Sequence, residues 1–430
     1  MTTTAKRILL LALFMGALAA ARGQVTLEQC VALARENYPL IRKYDLIART
    51  QAVDLSDINR SWWPRIGVYG QGTAQNAVPT LPGGLAAMLN GAGTAVDGMS
   101  RLQYKAGASL SQTVWDGGAA KARRELAEAQ TAEQQSALEV QLYAVRERVE
   151  NLYFSALLTD EQIRQTEVTI RLLQSNLDRL RAMERNGTAL QADGDMVEAR
   201  LLAANQQLVH ARSAAENCRR LLGAFAGRDL SGAQLVRPTA ERPAAIAPKR
   251  PELALLDART GVCEAGRSGV KAGVMPRLGL FAQGYYGYPG FDNFKSMMNR
   301  RPSLNLMAGV KISWDIDALY TRRNSTHRLQ LAADNVAAER ETFLFNNRLE
   351  ALSRNARIDE LEAVMREDER IVRLRANVRQ AAESQLKGGV IDAHTLLTAI
   401  TDEEQARLTA AYHEIQFMQS IYELKYTLNR

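Results

Sequence analysis

Few residues of this chain have the type and spacing for covalent or metal chemistry. Gly261 to Ser268 (GVCEAGRS) imitates a phosphate-binding loop, with Arg267 where the lysine would stand. Such a loop needs a strand before it and a helix after it, so that backbone N–H groups face the phosphates. Here the run lies inside a helical segment, which argues against that use. His210, His327, His394 and His413 show no HExxH or similar ligand spacing. No GxSxG nucleophile elbow occurs, and the pair Glu403-Glu404 reads as a solvated helix face. Cys30, Cys218 and Cys263 form no CxxC and sit in Ala- and Leu-rich helical stretches, where they serve as small core residues. The sequence therefore predicts no enzyme: no catalytic residue, no cofactor-binding residue and no metal ligand. Its informative chemistry lies in long periodic elements.

Composition bounds those elements. The chain has 430 residues, 54 Lys+Arg against 47 Asp+Glu, a formal net charge of +7 and 46% apolar residues. A mean hydropathy of −0.24 excludes a protein of many membrane-spanning helices, each of which needs ~20 apolar residues. Residues 1–23 read as a cleaved secretory signal. Lys6 and Arg7 form its basic start, Ile8 to Ala21 its short apolar run, and Cys30 lacks the context of a lipid-attachment site. Export excludes nucleic acid as a partner.

The chain also repeats itself. Residues 39–72 align without a gap on 251–284, with Pro39 on Pro251, Asp45 on Asp257, Pro64-Arg65 on Pro276-Arg277 and Gln71-Gly72 on Gln283-Gly284. Further on the offset falls by ten, so that Ala106-Gly107 matches Ala308-Gly309 and Gly187 matches Gly389. The expected organisation is a signal at 1–23, a first structural repeat at 24–222, a Pro- and Gly-rich linker at 223–250 and a second repeat at 251–430. Each repeat reads helix, strand, strand, long helix, helix. The first helix is expected over 25–58, with Thr26 as N-cap and Gln29 closing a capping box, and a strand near 64–76 follows.

Two periodicities dominate. Leu304, Leu306, Ala308, Val310, Ile312, Trp314 and Ile316 alternate with Asn305, Met307, Gly309, Lys311, Ser313 and Asp315. Tyr104, Ala106, Ala108, Leu110 and Val114 alternate in the same way with Lys105, Gly107, Ser109, Ser111 and Thr113. Such period-2 strands of 9–11 residues suit a bilayer, apolar side out and polar side lining a lumen. Trp62, Trp63, Trp115 and Trp314 at strand ends, with Tyr285, Tyr286 and Tyr288 at the far end of the third strand, suit an interfacial girdle. Residues 117–183 hold neither Gly nor Pro after Gly118, about 100 Å as helix at ~1.5 Å per residue. Apolar steps of four and three at Leu138, Leu142, Val145, Val149 and Leu152 mark coiled-coil packing, and a similar helix is expected near 318–386. Turns at Asn186-Gly187 and Gly388-Gly389 lead into returning helices at 191–222 and 392–426.

Four strands cannot close a barrel, and open edges do not survive in lipid. Several copies must pool their strands, since the smallest closed bacterial barrel has about eight. The opening Thr26-Leu27-Glu28, the Asn37-Tyr38-Pro39 step, the Ser111 to Gly118 stretch (SQTVWDGG), the Arg250-Pro251-Glu252-Leu253 start and the order of elements resemble the TolC-like outer membrane efflux protein family. The resemblance implies a mainly α fold with membrane β: long antiparallel helical hairpins in a periplasmic α-barrel, and four strands per chain in a trimeric twelve-stranded β-barrel. It implies a homotrimer in the outer membrane of a Gram-negative cell, acting as the exit channel of a tripartite efflux or type I secretion system. Its partners would be a periplasmic adaptor (membrane fusion) protein, an inner-membrane pump reached through it, and outer membrane lipid.

Carried over residue by residue, the resemblance places adaptor docking at the hairpin tips Arg185, Asn186, Gly187 and Thr188, and Lys387, Gly388, Gly389 and Val390. The gate positions that are often acidic in the family fall here on Thr395 and Thr398, while Asp193 and Asp392 keep carboxylates nearby. These acids also read as favourable charges at helix N-termini. The lipid-facing strand is Leu304, Leu306, Ala308, Val310, Ile312 and Trp314. The competing reading is a periplasmic structural coiled-coil scaffold.

Overall fold

The computed structural model describes residues 24–93, 98–239, 241–244 and 247–429, so the expected signal at 1–23 lies outside the described residues. In chain order the elements begin with β1 (Gln24–Val25), α1 (Leu27–Asn37), α2 (Lys43–Arg60), β2 (Arg65–Ala74), α3 (Gly83–Gly91), β3 (Leu102–Trp115), α4 (Ala119–Arg185) and α5 (Gln191–Ala226). They continue with β4 (Gln234–Leu235), α6 (Pro251–Gly273), β5 (Arg277–Tyr288), α7 (Asn293–Met298), β6 (Ser303–Ser313), α8 (Asp317–Lys387) and α9 (Ala393–Leu428). The chain divides into two compact units. One gathers Met1–Tyr44, Gln135–Leu256 and Ala338–Arg430, the other Asp45–Gln134 and Asp257–Ala337.

The first unit is helical. Thr26 caps α1 as its sequence foretold: its Oγ1 accepts from the Gln29 N–H at 3.3 Å, and Gln29 Oε1 accepts from the Thr26 N–H at 3.2 Å. The single helix expected over 25–58 is broken. Pro39 holds Tyr38 in an extended conformation (φ −65°, ψ 131°), and Pro39–Arg42 form a 3-10 turn before α2 begins. Asn37, just before the break, donates to the Leu33 and Ala226 carbonyls.

The long helices α4 and α8 have 67 and 71 residues, uninterrupted because nothing in them breaks the i→i+4 ladder. Within the unit, Val145, Val149, Tyr153, Phe154 and Leu157 of α4 pack with Cys30 of α1, Leu222 of α5 and Tyr422 of α9. Cys30 is therefore a core residue, and burial pushes its thiol up to about 11. The Tyr153 hydroxyl lies 2.7 Å from both the Val25 and the Val236 carbonyls. Those carbonyls flank a feature that alternation had not suggested: β1 pairs in parallel with β4, inside the stretch expected as linker.

The second unit holds a four-stranded antiparallel sheet in the order β2-β3-β5-β6. The helical setting of Gly261 to Ser268 is as expected, since the run lies within α6 and offers no strand-to-helix loop. Between the strands, α3 and α7 sit in the longer connections, and Met99 and Met297 pack there with Val78, Leu81 and Leu89. Among the described residues no helix is long and apolar enough to cross a membrane.

Candidate functional site

The sheet has an apolar face that is bare. Strand register aligns apolar positions into rows: Gly70–Ala106–Tyr286–Leu304, Val68–Ala108–Gly284–Leu306, Ile66–Leu110–Ala282–Ala308 and, past Gln112, Leu280–Val310. Leu304, Leu306, Ala308, Val310 and Ile312 share this face and are exposed, Leu306 at 73%. Val68 reaches 85%. A sheet in water would put these residues in its core. The other face is the more enclosed. Asn305 on it is only 7% exposed, its amide oxygen accepting from the Phe291 N–H at 2.7 Å. The Phe281 ring lies over Gly309, where a Cβ would approach within 3.0 Å.

Strict alternation fails at one place. Thr113 pairs with Gly279, but a bulge follows and Trp115 pairs with Leu278, which in turn pairs with Ile312. The extra residue carries Trp115 to the apolar side, the re-aiming that bulges commonly perform. Trp314 stands just beyond β6, its indole N–H donating to the Val274 carbonyl at 3.0 Å. Trp62 and Trp63 precede β2 and are exposed.

The tyrosines at the opposite end differ from expectation. Tyr286 is exposed on the apolar face, while Tyr285 takes the other face. Tyr288 is 2% exposed; its hydroxyl accepts from the Ser100 N–H and donates to the Ser296 carbonyl, both at 2.9 Å. Its ring thus belongs to the loop packing. Tyr104, opposite Tyr288 in the register, is the other exposed tyrosine on the apolar face at this end.

In the helical unit, both hairpin tips close by one motif. After Arg185, the Gly187 N–H donates to the Glu184 carbonyl at 2.9 Å and the Thr188 N–H to Met183 at 2.9 Å, with Gly187 at φ +69°. After Lys387 and Gly388, the Gly389 N–H donates to Leu386 at 3.0 Å and the Val390 N–H to Gln385 at 2.9 Å, with Gly389 at φ +70°. Both are Schellman ends, which need a residue tolerant of the left-handed region. The tips share one core of Leu173, Leu177, Leu180, Val197, Leu386, Leu396 and Ile400 among others. Arg200 joins the two hairpins through Glu404 at 3.3 Å. Beneath the second tip, Glu403 is gripped by Arg379 and, at 2.7 Å, by Arg407. Sequence reading missed this clasp, having placed Glu403 on a solvated face.

The four gate candidates are engaged within their own hairpins. Asp392 is the N-cap of α9, accepting from the Thr395 N–H at 2.9 Å and from its hydroxyl at 2.6 Å. These bonds hold its carboxyl below the usual aspartate range. Asp193 Oδ2 accepts from the Leu190 N–H at 3.1 Å at the start of α5. The Thr398 hydroxyl donates to the His394 carbonyl at 3.0 Å. Leu190 and Val390, each more than 70% exposed, are the apolar residues that the tips present. His413 pairs with Asp368 at 2.8 Å, and no group of three or more His, Cys, Asp and Glu suited to a metal occurs among the described residues.

These features define a class: long helical hairpins joined in sequence to a small antiparallel sheet whose apolar face is turned outward. Residues 33–228 match the family model described as outer membrane efflux protein. Among solved structures, the outer membrane protein VceC from Vibrio cholerae is 12% identical, with a TM-score of 0.67 over 94% of this chain and 95% of that one. The Campylobacter jejuni CmeC outer membrane channel is 14% identical, with 0.66 over 94% and 85%. The open state of the Neisseria gonorrhoeae MtrE outer membrane channel is 14% identical, with 0.64 over 94% and 88%. A search of curated proteins finds no match. The resemblance to the TolC-like outer membrane efflux family is thus borne out, with the family match on residues 33–228 and the fold likeness over nearly the whole chain.

Proposed function

We propose that this protein is an outer membrane exit channel, a passive duct of a tripartite efflux or type I secretion system. The observation that carries this reading is the in-register apolar face, exposed across all four strands. β2 and β6 end the sheet without a further partner among the described residues. In hydrocarbon those edges must be satisfied, and sister copies are the simplest source of strands. Three copies of four strands make a twelve-stranded barrel, above the smallest closed size of about eight. The family match on residues 33–228 supports the same role.

On this reading the chain is made as a precursor with a signal at 1–23, and 24–222 and 251–430 are structural repeats joined by 223–250. It lies in the outer membrane of a Gram-negative cell with a periplasmic extension. The tips at Arg185–Thr188 and Lys387–Val390 dock a periplasmic adaptor, which couples the duct to an inner-membrane pump. The exposed Leu190 and Val390 give that contact an apolar centre, and Asp193, Asp392, Thr395 and Thr398 lie at the narrow end. The duct performs no catalysis. Purified protein in a planar bilayer should give discrete conductance steps; a protein that never conducts and leaves the adaptor unbound in pull-downs would instead act as a scaffold.

A further inference from the structure

Within the four strands, the more enclosed face of the sheet carries charge of one sign only. Arg65 of β2, Lys105 of β3, Arg277 of β5 and Lys311 of β6 all fall on it by register, and no Asp or Glu occurs within any of these four strands. None of the four has a carboxylate within ion-pair distance among the described residues. Lys105 rests its ammonium 5.7 Å from the centre of the Tyr285 ring, a cation–π contact that keeps it on this face. Arg65, Arg277 and Lys311 are exposed.

Their placement is also specific. Lys311 is level with Gly279 and Thr113, and Arg277 with Ser313, near the ends where strands join helices. Lys105 is level with Gln71 and Gly287, near the loops. The eight steps from Lys105 to Thr113 span about 26 Å at ~3.3 Å per residue. Two acids of the connections, Asp116 and Asp292, are engaged by backbone N–H groups. Asp116 accepts from the Gly118 and Ala120 N–H groups at 2.9 and 2.6 Å, and Asp292 accepts from the Lys295 N–H at 2.9 Å. Asp315 and Asp317 follow β6 outside the strand itself.

We propose that the strand-lined section of the duct is anion-selective, with Lys105 marking its outer end and Arg65, Arg277 and Lys311 its inner end, so that it favours anionic over cationic cargo. This rests on the channel reading above. Cations facing a water-filled space with low-dielectric walls raise the local concentration of anions, and rings of Arg and Lys are a recurrent basis of anion preference. With three copies around the axis, each cation becomes a ring of three with no acidic ring between.

The test is the reversal potential of the purified full-length protein in a planar bilayer under a KCl gradient. Chloride should be the more permeant ion. Lys105→Gln together with Lys311→Gln should move the reversal potential toward the potassium side, and adding Arg277→Gln should move it further. A wild-type channel that prefers potassium, or a double variant with unchanged selectivity, overturns the proposal while leaving the channel reading intact. No conductance in wild-type protein overturns both. Should the double variant fail to assemble, Lys311→Gln alone and the wild-type sign decide.

Discussion

Trp115 stands opposite Leu278, although two residues earlier Thr113 stands opposite Gly279. That one-residue slip joins Trp115 to the row of Leu278 and Ile312 and completes an aromatic edge on the apolar face. The edge matters because Trp favours the boundary between hydrocarbon and headgroups. The face above it is where a charge should do most harm. Leu306→Arg or Val310→Arg should each block membrane assembly, since a charge on a lipid-facing strand costs about 2–4 kcal/mol at the midplane. Ser313→Arg, on the opposite face, should assemble and change conductance. Heat-modifiable oligomer on gels reads assembly; equal loss in all three variants would contradict the face assignment.

The tips test a backbone argument. A Cβ at Gly187 or Gly389 would touch nothing within 4 Å, so the cost of Gly187→Ala or Gly389→Ala is conformational alone. At φ near +70° it should be about 1–2 kcal/mol per site. Limited proteolysis should show faster cutting at the altered tip, with the Asn variants closer to wild type. Equal cutting of Ala variants and wild type would contradict the Schellman assignment.

Asp392 separates a structural role from a gating one. Because its carboxylate caps α9, Asp392→Asn should keep most of the cap and leave conductance unchanged, whereas Asp392→Ala should lower the melting temperature. Thermal melting and single-channel recording of both variants check this. A conductance change in the Asn variant would assign the charge to the pore.

Glu150 predicts a pH dependence. It is buried, and desolvation outweighs the guanidinium of Arg146, 2.7 Å away, so its carboxyl is pushed up to about 6 from an ordinary 4.5. The folded state therefore binds the extra proton between those values. The associated stability is fully present below about 4.5 and is lost as pH rises through about 6, about 2 kcal/mol in all. Melting curves across this range should show the loss, and Glu150→Gln should flatten it while lowering overall stability by leaving the half-buried Arg146 without its counter-charge. An unchanged slope in Glu150→Gln would contradict the assignment.

Much of this architecture was legible because its signals are local and periodic. The capping box at Thr26, the glycine turns at Gly187 and Gly389 and the alternation from Leu304 to Ile312 need only neighbouring residues to be read. What escaped depends on distant partners. The pairing of Gln24–Val25 with Gln234–Leu235 joins segments too short to show a period. Tyr288 looked like a girdle residue until its hydroxyl met Ser100 and Ser296. The bulge at Trp115 is invisible to a strict two-residue count. Glu403 looked solvated because neither Arg379 nor its burial can be read from the Glu-Glu pair. Pro39 was visible, but its repeat partner Pro251 opens a helix, and only the break after Asn37 shows that the first copy uses it otherwise.

The four strands of one chain should reach a closed barrel only by joining those of sister chains. Light scattering on detergent-extracted protein, corrected for bound detergent, measures this directly. The expected result is a particle of three protomers that precipitates when detergent is withdrawn. A monodisperse single chain, stable in buffer without detergent, would contradict it.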